Sequence, residues 1–153
     1  PEIRPVGVFV NAPMELVRTL LDDGTLALAQ LHGQEDESYI RELKTYTDKL
    51  IIKAFSIKTA EDIEKALQSP ADYILLDQGG GGTGKTFDWS LIPEIQRPFF
   101  LAGGIGASNL GQAIREIHPY AVDLSSSVET EKRKDPMKIR QVVDIVREIR
   151  IIN

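Results

Sequence analysis

Six short apolar runs recur along the chain at nearly constant spacing, with amphipathic segments between them. The runs are residues 6–10, 27–31, 50–55, 73–77, 99–102 and 121–125, so their starts lie 21 to 26 residues apart. Apolar runs of this length that are rich in β-branched and aromatic residues are typical of strands buried on both faces. The spacing therefore predicts a strand followed by a helix, six times over.

Five amphipathic segments predict the helices, namely residues 13–21, 36–46, 59–67, 108–117 and 136–150. Three of them carry a signal for their first residue. Thr59 with Asp62 resembles a capping box, and Ser108 is expected to accept hydrogen bonds from first-turn amides. Asp135 precedes a proline suited to the first helical position. Strands alternating with helices favour a parallel sheet, either open or closed into a (β/α)8 barrel.

Composition narrows the class of protein further. A chain of 153 residues with 42% hydrophobic content suits one domain with one core. A net charge of −5 without a long basic run argues against nucleic acid as a partner, and no apolar run approaches the ~18 residues of a membrane span. The chain has no cysteine, so disulfides and thiolate sites are excluded within it. We expect a single domain over residues 1–153, located in the cytoplasm.

The residues after the fourth apolar run support two interpretations. Residues 79–86 match the GxxxxGK[ST] pattern of a nucleotide-binding loop, in which Lys85 would reach the phosphates. Pro93 leaves room for only one to two helical turns after this loop, and Asp123 is a poor match for the magnesium ligand. Alternatively, the glycines form a loop over a pocket, and Asp77 at the strand end serves a barrel enzyme.

The last two apolar runs end in residues suited to binding an anion. In a (β/α)8 barrel, the loops after the last two strands commonly bind phosphate through backbone amides. Gly103 and Gly104 leave their amides accessible, and Ser126 and Ser127 add hydroxyl groups. The glycine pair by itself is equally compatible with a tight turn. Together with the serines it favours phosphate as the ligand.

Ionisable side chains follow the earlier runs. Asp77 comes after four apolar residues, where partial loss of hydration favours a protonated carboxyl group that can donate a proton, unless it simply hydrogen-bonds the glycine loop. His32 either faces the pocket or caps its strand. Lys53 either points into the barrel near the site or pairs with a carboxylate. His118, which precedes a proline, is expected at a helix end.

Seven short motifs span the chain from end to end: Gly7-Val-Phe-Val-Asn11, Gln30-Leu-His-Gly33, Ile52-Lys-Ala-Phe55, Leu75-Leu-Asp77, Gly81-Gly-Thr-Gly-Lys-Thr-Phe-Asp-Trp89, Leu101-Ala-Gly-Gly104 and Val122-Asp-Leu-Ser-Ser126 followed by Val128-Glu129. Each motif is weak on its own. The whole set, in this order and at this spacing, resembles the phosphoribosylanthranilate isomerase family, in which the Gly-Thr-Gly-Lys-Thr string belongs to a loop and not to a nucleotide site.

The resemblance implies a (β/α)8 barrel fold, of which this chain has six βα units. It also implies an Amadori rearrangement in tryptophan biosynthesis, in which N-(5-phosphoribosyl)anthranilate becomes an aminoketose by general acid and base catalysis. Neither a cofactor nor a metal is expected. Asp77 occupies the general-acid position of the family. The residues expected to bind the phosphate or contact the substrate are Gly103, Gly104, Ser126, Ser127, Asp123 and His32.

The chain also departs from the family pattern. Ser127 stands where the family usually has glycine. The family's first strand carries a cysteine that acts as general base, and an arginine after its second strand holds the anthranilate carboxylate. This chain resembles the family from the third strand onward, so we expect a truncated isomerase with little or no activity by itself. The alternative is a noncatalytic phosphate-binding partial barrel whose sheet edges pair with another copy or with a separate N-terminal piece.

Overall fold

The computed structural model describes residues 3–77 and 89–152, in which six strands form one parallel sheet in the order β1-β2-β3-β4-β5-β6. Each strand pairs with the next strand along the chain. This arrangement is that of consecutive βα units of a (β/α)8 barrel, and it confirms the predicted α/β fold class. The strands are β1 (Val6–Phe9), β2 (Leu28–Leu31), β3 (Leu50–Ser56), β4 (Tyr73–Asp77), β5 (Phe99–Leu101) and β6 (Ala121–Val122).

The five α-helices are α1 (Met14–Asp22), α2 (Glu37–Tyr46), α3 (Ala60–Leu67), α4 (Leu110–Ile117) and α5 (Pro136–Ile152). Two of the predicted helix starts are confirmed by their hydrogen bonds. The Asp62 carboxylate accepts from the Thr59 amide at 3.0 Å at the start of α3. The Asp135 carboxylate accepts from the Met137 amide at 2.9 Å at the start of α5. None of the helices that the structure describes is long and apolar enough to cross a bilayer.

Three predicted details are wrong. The N-cap of α4 is Asn109 rather than Ser108, and the Asn109 side chain accepts from the Gly106 amide at 2.9 Å, which fixes the loop before the helix. In the described part of the connection from β4 to β5, the expected helix is replaced by one 3-10 turn, Trp89–Leu91. Strand β6 ends at Val122 and does not continue to residue 125, because the chain turns into a second 3-10 helix.

A short antiparallel hairpin precedes α5 and was not predicted. It consists of β7 (Glu129–Thr130) and β8 (Arg133–Lys134). The two turn residues, Glu131 and Lys132, have φ values of 50° and 62°, which is the left-handed pairing of a two-residue hairpin turn. The hairpin places Lys134 back beside the loop that follows β6.

The helices cover one face of the sheet, called here the outer face, with two hydrophobic clusters. Helices α1 and α2 bury their apolar stripes against β1, β2 and β3, whereas α3, α4 and α5 pack against β4 and β5. Fully buried members of the first cluster are Val17, Leu21, Ala29, Leu31, Ile40, Leu43 and Ile51. Fully buried members of the second are Ile57, Ile63, Ala66, Ile74, Leu76, Leu101, Leu110 and Ala113.

The opposite, inner face changes in character along the strands. Because side chains alternate between faces, the inner face of β4 carries Tyr73, Leu75 and Asp77 in turn, from the amino to the carboxyl end. On β5, Phe100 is followed by Ala102. The Tyr73 and Phe100 rings pack edge to face at 5.5 Å, and Leu75 and Ala102 are buried in the same inner cluster. Large apolar groups thus fill the amino ends, and small or polar groups occupy the carboxyl ends.

Candidate active site at the carboxyl ends of the strands

Three ionisable residues predicted to serve the site lie at the carboxyl ends of neighbouring strands. Asp77 is the last residue of β4, and His32 and Asp123 directly follow β2 and β6. Their backbones are fixed by the sheet, since the His32 amide donates to the Phe9 carbonyl at 2.7 Å and the Asp123 amide donates to the Leu101 carbonyl at 2.9 Å. All three belong to the inner face of the sheet, so the strand ends bring them together.

His32 and Asp77 form the closest ionisable pair of the site. His32 Nε2 lies 3.4 Å from Asp77 Oδ2, and the two side chains keep 33% and 23% of their surface exposed, so a solute can reach them. Gln30 Nε2 lies 2.9 Å from His32 Nδ1. In the neutral tautomer whose Nδ1 accepts from the Gln30 amide, the ring proton lies on Nε2 and faces Asp77. His32 thus faces the site and does not merely cap its strand.

The environment raises the pKa of His32 above its usual value. Its hydrogen bond with Asp77 is the main cause; partial burial opposes it, and the charges of Asp77 and Asp123 add to it. The pKa of Asp123 is also raised, chiefly because protein atoms restrict the hydration of its carboxylate although the residue is exposed at the surface, and further by the charge of Asp77. His32 and Asp123 therefore each keep a proton to a higher pH than the same side chain does in water.

The two loops predicted to bind phosphate lie against each other. Gly103 and Gly104 have φ values of 84° and 68°, in the left-handed region that favours glycine. Asn109 Nδ2 donates to the Gly104 carbonyl at 3.0 Å, which holds the loop in this conformation. A Cβ built on Gly106 would lie 3.1 Å from the Cβ of Ser127, so the loop after β5 contacts the loop after β6.

Lys134 is a residue of the site region that the sequence pattern did not single out. Its Nζ donates to the Ser125 carbonyl at 3.0 Å, contacts the Ser125 hydroxyl at 3.3 Å and pairs with Glu129 Oε1 at 2.7 Å. It therefore holds the start of the turn formed by Ser126 and Ser127 and places a positive charge near it. The sequence signal was the short basic run 132–134. Its position near this loop could not be predicted, because it depends on the hairpin that brings Lys134 back to Ser125.

Of the remaining predictions, those for Lys53 and His118 are tested by the structure, and that for the glycine motif is not. Lys53 does not point toward the site; it pairs with Glu35 at 3.2 Å on the outer face, so the second of the two predicted alternatives is confirmed. His118 ends α4 in a left-handed conformation with φ 52°, which confirms its place at a helix end. Lys85 and the glycine motif at 79–86 lie outside the described residues, and the nucleotide-binding alternative stays a prediction.

Six consecutive parallel strands, covered by five α-helices and with the ionisable residues and the loops after β5 and β6 at their carboxyl ends, define the class: a (β/α)8-barrel-type protein whose candidate site lies at the end of the barrel where such enzymes carry theirs. A family model described as N-(5'phosphoribosyl)anthranilate (PRA) isomerase matches residues 2–145. The N-(5'-phosphoribosyl)anthranilate isomerase of Endomicrobium trichonymphae is 44% identical over 151 residues, covering 96% of this chain and 74% of that protein.

Solved structures agree with these sequence matches. A crystal structure of phosphoribosyl anthranilate isomerase from Thermotoga maritima gives a TM-score of 0.83 at 36% identity, covering 97% of this chain and 75% of its own. A crystal structure of the isomerase in complex with reduced 1-(o-carboxyphenylamino)-1-deoxyribulose 5-phosphate gives a TM-score of 0.80 at 34% identity, covering 97% and 73%.

The chain belongs to the N-(5'-phosphoribosyl)anthranilate isomerase family. It spans about three quarters of the length of the relatives it matches. The family, the enzyme class and the isomerase function in tryptophan biosynthesis that the sequence predicts are thereby confirmed.

Proposed function

We propose that Asp77 is the general acid of the isomerase reaction in this chain and that His32 orients it. The observation that supports this role is the 3.4 Å approach of His32 Nε2 to Asp77 Oδ2 at the carboxyl ends of β2 and β4. Asp123 stands next to this pair and is proposed to contact the sugar. The substrate proposed for the site is N-(5-phosphoribosyl)anthranilate. The structure of a relative is a complex with a similar phosphorylated compound, reduced 1-(o-carboxyphenylamino)-1-deoxyribulose 5-phosphate.

The chemistry requires a proton at one place and its removal at another. Asp77 would protonate the furanose ring oxygen, so that the ring C–O bond breaks and the nitrogen lone pair forms a Schiff base. A base would then remove the proton from the adjacent sugar carbon to give the enolamine. Because an acid must be both protonated and aimed at its acceptor, the hydrogen bond from His32 serves the second requirement.

The phosphate is proposed to bind to the amides of Gly103 and Gly104 and to the amides and hydroxyls of Ser126 and Ser127. Both glycines have positive φ, and neither carries a Cβ that would hinder the approach of an anion to the backbone amides. The bonds of Asn109 to this loop hold it in place before any ligand arrives. A preformed cradle of this kind loses little entropy on binding.

Binding by the 153 residues can be tested with the reduced analogue named above, using titration calorimetry. We expect Gly104→Ala to weaken binding by about tenfold, because the left-handed backbone is strained by a Cβ and the amide moves. Gly24→Ala is the matched control: Gly24 has φ 78° and nothing within 4 Å of an added Cβ, so it carries the same strain far from the site. Equal losses in both variants would remove Gly104 from the phosphate site.

The role of Asp77 needs a polypeptide that holds these residues together with a cysteine-bearing strand, since the chain has no cysteine. In such a protein we expect Asp77→Asn to lower kcat by about 10²–10⁴ with little change in KM. The loss of substrate fluorescence measures the rate. Asp48→Asn, an exposed carboxylate distant from the site, is the control. For the 153 residues by themselves we expect little turnover, and a rate equal to that of the longer protein would contradict this.

A second candidate function, assembly through the sheet edges, is favoured by a separate observation. In the part of the chain that the structure describes, β1 pairs with β2 and is the last strand on its side. Its inner-face residues Val6 and Val8 are 41% and 61% exposed, which is unusual for β-branched residues of a strand. We propose that this edge pairs with another segment, either a second copy of the chain or a separate N-terminal piece.

Sedimentation equilibrium over a hundredfold range of concentration tests the assembly. A dimer that Val8→Lys abolishes is expected, because an inward-pointing charge on an edge strand blocks pairing. The control is Leu16→Lys, because Leu16 lies on α1 and is 49% exposed. A monomer at every concentration would exclude self-association. The cytoplasmic location stays a prediction.

A further inference from the structure

A buried ion pair lies on the outer face of the sheet, and the proposed reaction leaves it without a role. Lys53 of β3 and Glu35 of the loop after β2 are 5% and 7% exposed, and Lys53 Nζ lies 3.2 Å from Glu35 Oε2. In the sheet, Lys53 stands beside Leu31 of the first outer cluster and Ile74 of the second. A charge at this position therefore sits between two apolar clusters.

Both charged groups are fully engaged with loop backbone. Lys53 Nζ donates to the carbonyls of Leu31 at 3.4 Å and Gly33 at 2.8 Å in addition to Glu35. The two Glu35 oxygens accept from the amides of Asn11 at 2.6 Å and Gly33 at 2.8 Å. Burial raises the pKa of Glu35, but the hydrogen bonds from its own amide, from the Asn11 amide and from Lys53 outweigh it, so the pKa lies below its usual value.

These bonds converge on the residue that follows His32. Gly33 donates its amide hydrogen to Glu35 and presents its carbonyl to Lys53, so both of its peptide groups are held by opposite charges. The space around it is closed as well, since a Cβ on Gly33 would lie 2.5 Å from Asn11 Oδ1. The direction of the chain immediately after His32 is therefore determined by the ion pair.

We propose that Glu35 and Lys53 are positioning residues for His32: by clamping Gly33, they aim the imidazole Nε2 at Asp77. The inference rests on the proposed role of His32 and Asp77 and extends it to the opposite face of the sheet. A buried ion pair commonly adds little stability compared with apolar side chains of similar volume. Its distinctive contribution is to fix the direction of the backbone, because its five hydrogen bonds hold two loops in one arrangement where apolar packing would allow several.

The test is an NMR titration of the two histidines in the 153-residue chain, with His118 as the internal reference. The groups that face His32 are Asp77 on β4, Asp123 after β6, Gln30 on β2 and the more distant charge of Lys53 on β3. Lys53 lowers the pKa of His32 through space. Removing its charge in Lys53→Met should thus raise the His32 pKa if charge is its sole influence.

Positioning predicts the opposite sign. If Lys53→Met misplaces the ring and loosens its bond with Asp77, the His32 pKa falls toward its ordinary value. We expect a fall in Lys53→Met and also in the isosteric Glu35→Gln. Lys44→Met, which removes a more exposed pair with Asp72, should leave His32 unchanged. A His32 pKa that rises or stays constant in folded Lys53→Met or Glu35→Gln overturns the proposal.

Two further readouts complete the test. Should both variants unfold, amide exchange of Gly33 in the unmodified chain decides: protection close to that of the strands supports the clamp, and exchange at the rate of a free amide overturns it. In the polypeptide that also contains a cysteine-bearing strand, Glu35→Gln should lower kcat by about tenfold to a hundredfold with KM nearly unchanged. The titration reports ring placement whether or not Asp77 proves to be the acid, so failure of the proposed function is distinguishable from failure of the clamp.

Discussion

Arg97 offers a sharp test of how the connection before β4 is held. Its guanidinium donates to three backbone carbonyls, those of Leu67 at 3.0 Å, Ser69 at 2.9 Å and Ala71 at 2.5 Å. These carbonyls belong to the turn that leads from α3 into β4, so one side chain bonds three acceptors of this connection. In Arg97→Met the three carbonyls lose their shared donor.

The magnitude follows from the number of bonds and their exposure. A buried hydrogen bond to a charged group contributes about 1.5–3 kcal/mol, but water replaces part of this at a half-buried site. At about 1 kcal/mol for each of three bonds, we expect Arg97→Met to lower the free energy of unfolding by about 3 kcal/mol. With an m-value near 2 kcal/mol/M, the urea midpoint would fall by about 1.5 M.

Urea unfolding followed by the fluorescence of Trp89, the single tryptophan, measures this change. Trp89 is partly buried against the second outer cluster and reports its loss. The control is Arg41→Met, which removes an exposed pair with Glu37 at 3.2 Å and should cost no more than about 0.5 kcal/mol. If Arg97→Met and Arg41→Met gave midpoints within about 0.3 M at equal m-values, the bond count would be the wrong basis for the prediction.

Three further outcomes are expected. Leu75→Ala, at a fully buried inner-face position, should lower the free energy of unfolding by about 3–5 kcal/mol, whereas Leu16→Ala on the exposed side of α1 should cost less than about 1 kcal/mol in the same urea assay. The raised His32 pKa stabilises the fold fully below its ordinary value of 6.5, and this stabilisation is lost as the pH rises through the raised value; Asp77→Asn should flatten that part of a stability–pH profile, and an unchanged profile would contradict the pairing. Lys134→Met should weaken calorimetric binding of the reduced analogue several-fold at low salt, whereas Lys132→Met at the exposed hairpin turn should not, and equal effects would indicate general charge attraction.

The strands were the easiest elements to predict, and the reason is physical. A strand buried on both faces must be apolar throughout, so its sequence stands out from its neighbours; β4 was predicted with its observed bounds, Tyr73–Asp77. The same property hides which face each residue occupies. Lys53 lies in a strand apolar on both sides, so alternation could not tell the outer face from the inner one, and two alternatives stayed open.

Local signals failed where neighbouring residues offered two alternatives or departed from the usual residue preference. Ser108 has a residue type suited to a helix cap, but Asn109 takes the position while also bridging Gly104 and Gly106. The hairpin turn uses Glu131 and Lys132 at positive φ, where a sequence signal would require glycine or asparagine. Both arrangements are local, since Asn109 bonds residues three and five positions earlier and the hairpin spans residues 129–134, but neither follows the residue preferences on which the prediction relied.

Part of the candidate site could be predicted from the sequence and part could not. That His32 and Asp77 both follow strands was readable from the sequence, because the carboxyl ends of parallel strands meet at one edge. The contact of Gln30 with the His32 ring was not predicted, because it depends on how the side chains alternate along β2. The contribution of Glu35 depends on hydrogen bonds that reach back to Asn11 across 24 positions of sequence, so no local pattern could indicate it.

The change in side-chain character along the inner face affects how this sequence can evolve. Aromatic and large aliphatic residues such as Tyr73 and Phe100 carry the packing at the amino ends, while the residues for which we propose the chemistry, Asp77 and its neighbours, lie at the carboxyl ends. Substitutions that alter substrate choice therefore fall in a layer that contributes little to the core. A library restricted to the carboxyl-end layer should retain a large folded fraction, so that new activities can be sampled before stability becomes limiting.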